Sequence, residues 1–93
     1  MNWEQKLSAL QAIADTCLRM RVPGNWYVSA TGRDVSERGM LVGKYGNGPT
    51  PESAVEADWN SIAESRATII LNAGRSDRRA VQWNGFMWID VKE

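Results

Sequence analysis

Apolar residues recur at spacings of three and four along the first part of the chain, at Trp3, Leu7, Leu10, Ile13, Ala14, Cys17 and Leu18. That period places them on one stripe of an amphipathic helix facing a core. Asn2 followed three residues later by Gln5 has the form of a capping box, and Val22-Pro23-Gly24 predicts a stop at about Arg21. In NWYVSA, residues 25–30, the period changes to two, with Trp26 and Val28 on one side and Tyr27 and Ser29 on the other. This alternation predicts a strand. Polar Thr31-Gly32-Arg33-Asp34 then reads as a turn, and MLVGKY at 40–45 as the partner strand of an antiparallel hairpin, with Arg33, Asp34, Glu37 and Arg38 around its tip.

Thr50-Pro51-Glu52 is a helix start: a hydroxyl N-cap, a proline where its missing N–H costs nothing, and an acid at the positive end of the helix dipole. The predicted helix runs from about Pro51 to Glu64, with Val55, Trp59 and Ile62 inward and Glu52, Glu56 and Asn60 outward. Ala67 to Ala73 is a short β-branched run closed by the polar Gly74-Arg75-Ser76-Asp77, a third strand. Two more strands flank Asn84-Gly85, a dipeptide that favours a type I′ turn with positive φ at both central residues. The order α-β-β-α-β-β-β predicts one α+β domain over 1–93, a two-layer fold with a mainly antiparallel sheet and both helices on one face.

A two-residue turn at Asn84-Gly85 would set Trp83 against Phe86, Val81 against Trp88 and Arg79 against Asp90, all on one face. Ala80, Met87 and Ile89 would share the other face. Either the tryptophans are the core of a small domain, or the smaller aliphatic set lies under the helices and Trp83, Phe86, Trp88 and Arg79 form a partner-binding surface. Both readings stand at this point.

Composition narrows the chemistry. A 93-residue chain, 43% hydrophobic, folds around one core and buries roughly 60–65% of its unfolded surface. Eleven basic and eleven acidic residues give zero net charge, so charge-based recognition has to be local. Without histidine, the commonest general acid-base group and metal ligand is missing, and the acids are scattered; we expect no catalytic residue, no metal and no cofactor. The single cysteine, Cys17, excludes an internal disulfide and reads as a buried thiol on the helical stripe, which suits a reducing cytoplasm. No stretch approaches the ~18 consecutive apolar residues of a membrane span, and the start MNWEQKLSAL lacks the form of a secretory leader.

Two further motifs bear on ligands. Arg75, Arg78 and Arg79 could grip a phosphate or carboxylate, and beside Trp83 or Trp88 could hold a nucleotide or single-stranded nucleic acid, the polymer being disfavoured by the zero net charge; the alternative is a solvated hairpin tip. GKYGNGPT resembles a phosphate loop before a helix, but its lysine stands in the wrong place and Glu52 and Glu56 would repel an anion. Taken together, NWYVSA, YGNGPTPESAVEADW and RRAVQWNGFMWIDV resemble the small accessory proteins of bacteriophages and prophages. The resemblance implies action in the host cell cytoplasm by stoichiometric binding to a defence component, as anti-CRISPR proteins block an effector complex, or by sequestering a nucleotide signal as sponge proteins do. It implies a host protein or complex as partner and a nucleotide as the alternative ligand. A sheet face left uncovered by two helices could also pair with a second copy of the chain as a homo-oligomer, and a small nucleic-acid-binding or structural accessory module is the remaining alternative.

Overall fold

Thr16 closes the end of the first helix. In the computed structural model, which describes residues 1–93, α1 spans Trp3–Ile13. Asn2 Oδ1 accepts from the Gln5 N–H at 2.8 Å and Gln5 Oε1 accepts from the Asn2 N–H at 2.9 Å, the predicted capping box. The helix does not continue to Arg21. Ala14 is extended (φ −155, ψ 156), and the buried Thr16 hydroxyl lies 3.3 Å from the Leu10 carbonyl and 3.0 Å from that of Ala14, oxygens that a helix end leaves open. Asp15–Val22 is instead an eight-residue strand, β1. Its alternation was hidden because Ala14, Cys17 and Leu18 also satisfy a helical spacing. Cys17, expected to be buried, is exposed on this strand.

β2, Asn25–Thr31, pairs antiparallel with β1 through the Pro23-Gly24 turn, where Gly24 has φ +78. It does not pair with residues 40–45. The residues read as a polar turn are the start of a strand: β3, Arg33–Glu37, pairs with β4, Met40–Val42, around Arg38 and Gly39, both at positive φ. Gly32, at φ +70, lets the chain leave one sheet and enter another, a bend that a side chain would strain. Then β5, Gly46–Gly48, returns to pair with β2.

α2, Pro51–Trp59, starts at the predicted Thr50 cap and continues as a π-helical segment, Asn60–Glu64, so the expected extent is matched. Ser53 rather than an acid completes the cap: Thr50 Oγ1 accepts from the Ser53 N–H at 3.1 Å, and Ser53 Oγ accepts from the Thr50 N–H at 3.1 Å. β6, Ile69–Leu71, β7, Arg79–Trp83, and β8, Trp88–Asp90, complete the chain.

The fold is α+β with antiparallel pairing throughout, but the strands form two sheets, ordered β1-β2-β5 and β4-β3-β6-β7-β8. α1 and α2 pack on each other, and α2 lies across the smaller sheet. Gly46 and Gly48 permit that closeness, since a Cβ on Gly46 would sit 2.3 Å from the Ala54 carbonyl oxygen. The other side of α2 and the π-helical segment meets the inner face of the larger sheet, so one core holds Leu10, Val28, Val35, Val55, Trp59, Ile62, Ile69, Val81 and Trp83.

An ion pair sits at the same depth. Arg33 donates from Nη1 and Nη2 to the two carboxylate oxygens of Asp58 at 3.0 and 2.8 Å, and from Nη2 to the Lys44 carbonyl at 3.0 Å. Both side chains are fully buried. Burial pushes the Asp58 carboxyl above its ordinary range, and the Arg33 hydrogen bonds and charge only partly oppose this.

Candidate functional site

The C-terminal hairpin carries most of the residues that the sequence nominated, and the structure divides them. Trp83 faces Trp88, and Val81 faces Asp90, a register two residues away from that of a two-residue turn. Of Asn84 and Gly85 only Gly85 has positive φ (+104), so the turn is not type I′. The connection is the four residues Asn84–Met87, where Asn84 Oδ1 accepts from the Phe86 and Met87 N–H groups at 2.8 and 2.9 Å. The asparagine side chain takes over the role expected of its backbone. A shift of two preserves facing, so Trp83, Trp88, Val81, Arg79 and Asp90 still share one side, while Phe86 leaves the ladder.

At Trp83 and Val81 that shared side is the inner one, the core alternative rather than the outward surface, while Arg79 and Asp90 at its far end stay exposed. Trp83 is 5% exposed. Its ring lies 4.9 Å from that of Trp59 and 5.1 Å from that of Trp88, and Trp59 lies 5.9 Å from Trp88, all edge to face. Half-buried Trp88 donates from Nε1 to the Ala9 carbonyl of α1 at 2.9 Å. The rings are shielded because α2 brings a tryptophan of its own, Trp59, into their midst.

Phe86 is left outside, 90% exposed, with Met87 (59%) beside it. Their loop is held from behind: Arg66 Nη1 donates to the Trp83 carbonyl at 3.0 Å, and the Asn84 N–H donates to the Met87 carbonyl at 3.1 Å. The ring therefore projects from a braced turn. Ile89, on the outer face of edge strand β8, is 37% exposed and extends the apolar surface.

The nominated arginines are engaged separately. Arg75 pairs with Asp77 at 3.4 Å, Arg79 with Asp90 at 3.0 Å, and Arg78 with Glu93. The Arg78 hydrogen bonds hold the Glu93 carboxyl below its ordinary value. Each guanidinium already has its own carboxylate. Nor is GKYGNGPT a phosphate cradle: Ser53 occupies the Thr50 N–H, and Gly46 and Gly48 lie against the body of α2.

A second cluster was not foreseen. Val28 and its partner Gly46 face α2, so Tyr27, between Arg19 of β1 and Asn47 of β5 in the same row, faces away from both helices. Tyr27 and Tyr45 have ring centroids 5.4 Å apart, and the Arg21 guanidinium lies 5.3 Å from the Tyr27 centroid. Beside them a groove of about 450 Å³, where the two sheets meet, is lined by Ser29, Arg33, Asp34, Lys44 and the two tyrosines. Lys44 Nζ pairs with Glu37 at 2.8 Å. Reading 15–22 as a strand would have put Arg19 and Arg21 beside Tyr27; the helical stripe concealed it.

No family model, curated protein or solved structure matches the chain. No helix is long and apolar enough to cross a membrane.

Proposed function

We propose that this protein is a non-enzymatic binding protein that acts stoichiometrically on a host protein, as an inhibitor of a bacterial defence component, with the Asn84–Met87 loop as its point of contact. Support comes from the phenylalanine held 90% exposed on a braced turn. Keeping such a ring in water forgoes the ~1.5–3 kcal/mol that burying it would contribute, a gain recovered when a partner supplies an apolar pocket. Phe86 inserts as the anchor, Met87 adapts to the pocket wall, and Ile89 widens the contact. Of the residues first nominated for partner binding, Phe86 keeps that role; Trp83 and Trp88 support the loop from the core, and Arg79 with Asp90 lies farther along the hairpin.

The test uses a photo-crosslinking phenylalanine analogue at position 86 in a phage-infected host carrying an active defence effector. The effector should be the crosslinked species, with an analogue at exposed Glu52 giving none. Expression of the native chain should restore phage growth, and a folded Phe86→Ala variant should lose that effect. Equal crosslinking from both positions, or full protection by Phe86→Ala, would refute the reading.

A further inference from the structure

Nothing in the hairpin contact uses the uncovered face of the three-stranded sheet. We propose that this face binds single-stranded nucleic acid, with bases stacking on Tyr27 and Tyr45 and phosphates held by Arg19 and Arg21.

The first argument is the surface itself. The tyrosine pair lies on a sheet face that no helix covers, with Tyr45 57% exposed and Tyr27 half-buried between it and the Arg21 guanidinium. Base stacking on such rings tolerates any sequence, because every base has a π-face.

Charge is the second argument. The chain as a whole is neutral, yet Arg19 and Arg21 are both exposed on β1 with no carboxylate paired to either, unlike Arg75, Arg78 and Arg79. They stand two residues apart on one strand, Arg19 opposite Tyr27 and Arg21 at the irregularity of the ladder between Met20 and Val22, so both guanidinium groups start beside the same ring. Arg21 already lies against the Tyr27 ring, so a cation and a stacking surface are offered together.

The third argument chooses a strand over a free nucleotide. A single nucleotide would occupy the groove of about 450 Å³ beside Tyr45 and Lys44. Neither Arg19 nor Arg21 lines that groove, so both would be left unused. A strand uses the groove for one base and runs on across Tyr27 toward β1. Ser29 and Asn47, on the same face, supply hydrogen-bonding groups along the way.

The experiment is fluorescence polarisation of the purified full chain with a labelled oligothymidylate of about ten nucleotides, within the site sizes such surfaces cover. Saturable binding is expected, with log K falling against log salt at a slope of about −1.4 for two phosphates on a single strand. Tyr45→Ala should weaken binding roughly 5- to 160-fold, the loss of one stacked base. Arg19→Gln with Arg21→Gln should flatten the salt slope, and unchanged circular dichroism would show both variants folded. Absence of binding, unaltered affinity in the Tyr45 and arginine variants, or thymidine monophosphate binding as tightly as the oligomer would overturn the proposal. Phe86→Ala should leave oligomer affinity unchanged, so this surface and the hairpin contact fail separately.

Discussion

Replacing Trp83 by alanine removes a side chain whose ring contacts two other indoles, at 4.9 and 5.1 Å, in the wall between α2 and the larger sheet. Truncating a buried aromatic costs about 3–5 kcal/mol, the lost transfer energy plus the cavity that remains. The edge-to-face pairs, each worth about 0.5–1.5 kcal/mol beyond area, favour the upper part of that range. A domain of this size has only about 5–15 kcal/mol in total. At roughly 4–8 °C per kcal/mol the melting temperature should fall on the order of 12–40 °C. The assay is thermal and urea unfolding followed by far-ultraviolet circular dichroism, with the near-ultraviolet spectrum reporting the indole cluster. Phe86→Ala is the internal control, since an exposed substitution should stay within about 0.5 kcal/mol. A Trp83→Ala protein that melts within a few degrees of the native chain, with an unchanged denaturant slope, would refute the assignment of this ring to the core.

Other consequences follow from the contacts of α2. Gly46→Ala should destabilise by about 1–3 kcal/mol or more, because its Cβ would lie 2.6 Å from the Asp58 nitrogen and 2.8 Å from its Cβ, atoms that cannot rotate aside; a raised urea midpoint would contradict this. Asp58→Ala should cost about 3–5 kcal/mol by leaving the buried Arg33 cation without its carboxylate, whereas Arg33→Met with Asp58→Leu should recover most of the loss. Since burial raises the Asp58 carboxyl above 3.8, the folded chain holds that proton more tightly than the unfolded one. Its contribution to stability is therefore complete below about pH 3.8 and is lost as pH rises through the folded value. Urea midpoints of the native chain against the double variant should show the native chain losing ground across that window; a difference independent of pH would overturn the assignment.

Much of the local structure was legible in the chain because near neighbours decide it. The Asn2 and Gln5 box, the Thr50-Pro51 start, the alternation from Asn25 and the β-branched run at Ile69–Leu71 all depend on groups within a few residues of one another. The segment Ala14–Val22 was misread because its apolar residues satisfy two periods at once, and pairing with β2, with the Thr16 hydroxyl capping the open carbonyls at the end of α1, is what makes it a strand. Phe86 was legible as part of the aromatic hairpin, though not that it alone of the hairpin's three large rings would stand fully exposed; the meeting of Tyr27, Tyr45, Arg19 and Arg21 was not legible, since it requires β1 to be a strand.

What the sequence by itself determined is the α+β class, the helix starts and the aromatic content of the C-terminal hairpin. Tertiary structure alone decided the division into two sheets, the pairing of β2 with β1 and β5, and which side of the hairpin is inside. The physical reason is that side-chain alternation in a strand defines two faces without ranking them. Ranking them took a distant residue, Trp59, whose helix arrives on one side and removes Trp83 from water.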